Sequence, residues 1–197
     1  MKIPKAEFLK DPFVVARTVL LGATLYSRIG GRLTAGRIVE LELYMGNCDR
    51  ACHAFKGKTQ RNAVMFESGG QAYVYFVYGM HNMFNVVISD TGQPNAILIR
   101  ALEPLKGIDI MIARRGINDT RNLCNGPAKL TVAMGISTKH NGIDLESDKI
   151  WLESATTPIA PMEIAIGTRI GVEYAGEDAA LPWRFAIKGS KFISKAI

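Results

Sequence analysis

No stretch of this 197-residue chain approaches the roughly 18 to 20 uncharged apolar residues that a membrane helix needs. The opening residues, Met-Lys-Ile-Pro-Lys-Ala-Glu, mix charge with apolar side chains and offer no secretion-type apolar run. Cysteine is scarce as well. Cys48, Cys52 and Cys124 are an odd number, so a disulfide framework is not expected. Cys48, Cys52 and His53 lie close together, but no second cluster completes the four ligands of a zinc site, and no metal is expected. Repeats, low-complexity tracts and linkers are missing too, which leaves nothing to divide the chain. Hydrophobic residues make up 48% and charged residues 21%, a globular balance that excludes a disordered chain, a collagen-like repeat and a coiled coil. One intracellular domain spanning residues 1–197 is the expectation, with a cytoplasmic location.

Charge is present in excess of one sign. Lys plus Arg number 24 against 18 Asp plus Glu, giving +6. Lys56, Lys58 and Arg61 fall in one polar loop, Arg114, Arg115 and Arg121 in another, and Lys188, Lys191 and Lys195 near the end. Such clusters suit a polyanion and serve equally well as solubilising surface.

Asp11-Pro12 reads as an N-cap followed by a first-turn proline, and the apolar residues up to Leu21 then suit a helix ending near Gly22. Residues 32–44 read as strand. Residues 45–70 are polar and irregular, with room for a helical turn over 49–55. Strands are expected at 72–78, 84–89 and 96–102, joined by turn-rich segments short enough for antiparallel neighbours. Pro104 is expected to open a helix running to Arg115, and Pro127 another that ends at Gly135. Further strands are expected at 149–153, 163–172 and 183–189. The resulting class is α+β: a curved, mostly antiparallel, barrel-like sheet flanked by helices, with a protruding hairpin.

Strand alternation sorts residues 37–44 into two faces. Val39, Leu41 and Leu43 share an apolar face; Glu40, Glu42 and Tyr44 share the other with Ile38. A row of two carboxylates and a phenol is either a catalytic arrangement or ordinary edge decoration. In 72–80, Tyr73, Tyr75 and Val77 share a face, while Val74, Phe76 and Tyr78 take the opposite one. Tyr78 precedes Gly79 at the hairpin tip, where a rigid ring can project past the sheet. Tyrosines pack well in strands, and flat rings beside basic surface also stack on bases.

Several segments together resemble the alkyladenine (mammalian-type 3-methyladenine) DNA glycosylases. They are Glu42-Leu43-Tyr44, His53, the run from Tyr73 to Met80, Asn85-Val86, and the run from Leu98 to Pro104. Further along, Cys124 to Leu130, Arg169-Ile-Gly-Val172, Ala175-Gly-Glu177 and Trp183-Arg-Phe185 through Ser190 also fit. The resemblance runs from about Asp11 to Ser190. It implies a monofunctional base-excision-repair enzyme acting on double-stranded DNA that contains alkylated or deaminated purines, with no cofactor. A monomer is expected, nucleoid-associated if the source is bacterial.

The same resemblance implies residue roles. Tyr78 fills the gap left by a nucleotide flipped out of the stack. Tyr44, His53 and Tyr75 sandwich the extruded base, and their electron-rich faces favour cationic alkylpurines. Asn85 crowds the position of guanine's exocyclic amino group. Glu42 is the general base that activates a water for attack at C1′. Arg100 holds that glutamate and would keep it ionised by lowering its pKa.

Glu40 lies about 6.5–7 Å from Glu42 at ~3.3 Å per residue, a spacing that superficially suits an inverting sugar hydrolase. Two neighbours on one strand face do not flank a scissile bond from opposite sides, so Glu40 is assigned a supporting or structural role. Two other readings stay open at this level: a non-catalytic binder of damaged or single-stranded nucleic acid, and a hydrolase of free nucleosides.

Overall fold

The computed structural model describes residues Met1–Ile197. The Asp11 carboxylate accepts hydrogen bonds from the backbone N–H groups of Phe13 and Val14, capping α1 (Pro12–Val14), which continues as π-helix over Val15–Leu20. A cap of this kind contributes about 1 kcal/mol. Gly22 then turns the chain with a φ of +88° into the sheet.

Eight strands follow, every pair antiparallel: β1 (Thr24–Ile29), β2 (Arg32–Met45), β3 (Ala72–Val77), β4 (His81–Ile88), β5 (Asn95–Lys106), β6 (Ile150–Glu153), β7 (Ile164–Gly167) and β8 (Arg184–Ile187). The main path runs β3-β4-β5-β2-β1-β6, and it is open, not closed into a barrel. Strand β2 forks the sheet. Its first half pairs with β1, while Glu40, Leu41 and Glu42 pair with β8 on the same side. Its other side pairs with β5 nearly throughout. Helices α2 (Ile108–Arg115) and α3 (Pro127–Met134) end at left-handed Gly116 and Gly135. No helix is long and apolar enough to cross a membrane.

Three expectations change. Pro104 lies inside β5, opposite Gly36, and opens no helix. The long first half of β2 continues to pair there, and a register shift between Ala35 and Gly36 accommodates a residue without a backbone donor. Helix α2 starts only after Gly107, whose φ is +66°. The strand expected over 163–172 stops at Gly167, and the following residues bend inward toward β2.

The alternation expected along β2 also breaks. Val39 has no partner in the β2–β5 register, and Arg100 is skipped on β5, so each strand carries a bulge. Ile38 therefore joins Leu41 and Leu43 in the main core, whereas Val39 packs with Ala101 and Phe192 in a separate cluster. Bulges re-aim side chains beside functional sites. Here they put Arg100 beside Glu40 and Glu42.

The main core includes Phe8, Leu20, Leu41, Leu43, Phe84, Ile99, Leu130 and Phe185, all buried. Each large apolar side chain contributes roughly 1.5–3 kcal/mol by leaving water. A second apolar cluster contains Cys52, Ala54, Met65, Tyr73, Val87 and Ala96, with Tyr44 and Tyr75 packed against it. Residues of β3 and β5 alternate between the two clusters: Ala72, Val74, Ile97 and Ile99 belong to the first, and Tyr73 and Ala96 to the second. The candidate site lies on the face that carries the second.

Candidate active site

A cavity of about 570 Å³ opens on that face. The volume suits a nucleoside-sized ligand. Tyr44, His53, Tyr75, Tyr78, Asn85 and Arg100 all line it, so six of the seven sequence-predicted positions converge on the cavity, and the seventh, Glu42, lies one layer behind. Glu42 is fully buried. Its Oε1 accepts the Ile170 N–H at 2.8 Å, and its Oε2 accepts the Tyr44 hydroxyl at 2.9 Å. The Arg100 Nη1 pairs with the same Oε2 at 3.1 Å. Tyr44, Arg100 and Ile170 themselves line the cavity, and these three groups connect the carboxylate to it.

Burial pushes the Glu42 carboxyl above its ordinary 4.5, although the Arg100 charge, the Ile170 N–H and the Tyr44 hydroxyl all pull the other way. The expected lowering by Arg100 is present and is outweighed. A carboxylate stripped of water loses more than one cation at this distance returns. Burial, followed by the Glu42 charge, pushes the Tyr44 phenol well up. It therefore stays protonated and donates to the carboxylate.

Arg100 spans both acids, with Nε 3.1 Å from Glu40 Oε1. Glu40 is fully buried too, and it accepts from Arg184 Nη1 at 3.1 Å, from the Ser194 hydroxyl at 2.8 Å and from the Ser194 N–H. Its oxygens are thus committed to structural partners. The supporting role read from the strand pattern agrees with this geometry.

The aromatic walls form around β3. His53 and Tyr75 meet edge-on with ring centroids 4.5 Å apart at 74°, and Tyr73 lies 5.2 Å from Tyr75. His53 Nδ1 is 3.0 Å from the Tyr73 hydroxyl. No slot for a base exists between His53 and Tyr75. The open side of that pair faces the cavity it shares with Tyr44. Asn85 is buried, and its Nδ2 donates to the Tyr73 carbonyl at 3.1 Å, which fixes the amide. Tyr78 is 87% exposed at the hairpin tip with φ of +52°, and Gly79 follows at +67°. Consecutive left-handed residues make the tight turn that thrusts the ring outward.

The basic clusters divide in use. Arg61 donates to the Phe76 carbonyl and lies 5.5 Å from the Tyr75 ring, at the cavity. Arg114 instead turns inward to the carbonyls of Ala133 and Ile29, and Lys188 is tied to the Met162 carbonyl. Cys48, Cys52 and His53 each have a separate partner. Cys48 Sγ lies 3.2 Å from the Met45 carbonyl, and burial pushes the Cys52 thiol up to about 12.

Sequence reading missed three groups. Ile170 contributes a backbone N–H, which no side-chain pattern reveals. Ser194 acts through Glu40 and Arg100 from 154 and 94 residues away. Arg169 was part of a matching segment but carried no role. It forms a buried two-pronged pair with Asp49.

A family model described as methylpurine-DNA glycosylase matches residues 6–191. The protein named "Putative 3-methyladenine DNA glycosylase" from Carboxydothermus hydrogenoformans is 48% identical over 195 residues, covering 99% of this chain and 100% of that one. Proteins of the same name from Chlorobaculum tepidum and Methanoculleus marisnigri are 44% and 43% identical, each across 99% of this chain and across 92% and 100% of their own length.

Proposed function

The chain belongs to the methylpurine-DNA glycosylase family and is a DNA glycosylase, a hydrolase of N-glycosyl bonds; from that premise we propose how its residues act. The whole chain, 1–197, works as one DNA glycosylase domain. Its substrate is a damaged purine in double-stranded DNA. The nucleotide is flipped out at a cost of a few kcal/mol, and Tyr78 enters the vacated stack. The base occupies the cavity between Tyr44 on one side and the His53–Tyr75 pair on the other. Cationic alkylpurines gain most from these ring faces. Asn85, locked to the Tyr73 carbonyl, opposes a base carrying a 2-amino group.

Glu42 acts on water. An ionised carboxylate offers about four acceptor sites, and three are taken by Ile170 N–H, the Tyr44 hydroxyl and Arg100. The remaining site on Oε1 receives the water that attacks C1′. Glu42 takes a proton from that water, the glycosidic electrons leave with the base, and an abasic sugar remains. The carboxylate charge also stabilises the cationic sugar in the transition state. Burial raises the basicity of Glu42, which makes it a better proton acceptor near neutral pH. Every group named comes from one chain, so a monomer suffices.

One observation carries this reading: a buried carboxylate clamped by an arginine, a tyrosine hydroxyl and a backbone N–H immediately behind an aromatic-lined cavity. The test is incubation with duplexes carrying 3-methyladenine, hypoxanthine or ethenoadenine, followed by alkaline cleavage at abasic sites. Strand breaks at the lesion are expected with wild-type protein and absent with Glu42→Gln. Equal cleavage by the two proteins contradicts the role of Glu42.

A further inference from the structure

We infer that the buried Asp49–Arg169 pair is an electrostatic backing for Tyr44 that sets the enzyme's preference between cationic and neutral bases. The inference rests on the reading of Tyr44 as a base-stacking ring.

The Arg169 guanidinium lies 4.8 Å from the Tyr44 ring centroid and 5.0 Å from that of Trp183. One face of Tyr44 is thereby occupied from behind, which leaves the cavity face for a ligand. The guanidinium is buried and held by four bonds: Nη1 donates to Asp49 Oδ2 and to the Leu43 carbonyl at 3.1 Å, and Nη2 to Asp49 Oδ1 at 2.8 Å and to the Asp178 carbonyl at 3.0 Å. Only its Nε is unpartnered. Asp49 is equally committed, accepting the N–H groups of Met45 and Ala51 at 3.2 and 3.0 Å. This anchors both the end of β2, which carries Tyr44, and the loop that leads to His53. Arg169 also precedes Ile170, whose N–H holds Glu42.

The charge balance matters more than the anchoring. A base stacked on the cavity face of Tyr44 lies on the far side of the ring from Arg169, within reach of a Coulomb interaction in a site shielded from water. With Asp49 ionised, the pair presents little net charge. Loss of the Asp49 charge alone leaves a bare cation behind the ring, which repels a cationic alkylpurine and spares a neutral one. Loss of the Arg169 charge alone leaves a bare carboxylate and reverses the preference.

The experiment measures release of 3-methyladenine and hypoxanthine from duplex DNA at saturating enzyme and takes the ratio of the two rates. Asp49→Asn is expected to lower the ratio of cationic to neutral release on the order of tenfold. Arg169→Gln is expected to raise it by a similar factor, and the double variant to return it to within about threefold of wild type. The ratio does not depend on the folded fraction, so destabilised variants remain informative. Arg169→Lys keeps the charge and is expected to leave the ratio unchanged even where both rates fall. Shifts in the same direction for the two single variants, or no shift in either, overturn the inference, because a purely structural pair affects both substrates alike. Should either single variant fail to fold, the other together with Arg169→Lys decides. Tyr44→Leu separates the two levels of argument. Undiminished release by that variant defeats the underlying reading of Tyr44, whereas crippled release with unmoved ratios defeats only the role of the pair.

Discussion

The Tyr44 hydroxyl donates a 2.9 Å hydrogen bond to Glu42, two residues earlier on the same strand. The ring that lines the cavity and the carboxylate behind it are therefore mechanically one unit. Alternation along β2 puts both on one face and Leu41 and Leu43 on the other, where the bulge at Val39 lets Ile38 join them. The two side chains proposed for base placement and water activation thus share a rigid support in the middle of a sheet, not a mobile loop.

Removing the carboxylate charge while keeping its shape tests the chemistry most directly. Glu42→Gln is expected to reduce base release about 10²–10⁴-fold while lesion binding persists. Single-turnover kinetics and a gel-shift titration on the same duplex separate these two outcomes.

Burial raises the Glu42 pKa above 4.5, so the acid limb of the pH–rate profile is expected above the range of a free glutamate. Tyr44→Phe keeps the ring and deletes one donor to the ionised form, so it should move that limb to still higher pH. Stability follows the same linkage. A carboxyl whose folded pKa is raised contributes stability that is complete below the unfolded value and lost as the pH climbs through the folded one. Thermal melts of wild type relative to Glu42→Gln should therefore show wild type losing ground as the pH rises from 4 toward 7.

Tyr78 is almost fully exposed, so Tyr78→Ala should leave the melting temperature close to wild type. Activity on duplex DNA is nonetheless expected to fall sharply. Retained duplex activity would remove the wedge from the mechanism.

Glu40 is the opposite case. Glu40→Ala strands Arg100 and Arg184 without their shared acceptor and is expected to destabilise the fold by about 3–5 kcal/mol. Chemical denaturation measures this directly. Residual folded enzyme should show a lowered kcat with little change in KM, because Arg100 loses its orientation toward Glu42 and the aromatic walls of the cavity are untouched.

Much of the site was legible because its signals are local. The Asp11 cap, the Gly116 and Gly135 helix ends and the hairpin tip at Tyr78-Gly79 each depend on a few consecutive residues. The pairing of Glu42 with Tyr44 follows from a period of two. Pro104 misled because proline opens helices far more often than it sits in strands, and only the length of β2 makes the strand pairing win.

By itself, the sequence determined which side chains were available: the acid, the rings, the amide and the arginine, on strands whose positions along the chain could be read. Tertiary structure alone decided that Glu42 lies behind the cavity surface, that its burial outweighs Arg100, and that Asp49 meets Arg169 across 120 residues. Periodicity and capping act over a few bonds. Desolvation and ion pairing depend on which distant segments exclude water together, and that is settled only when the whole sheet and its loops have assembled around them.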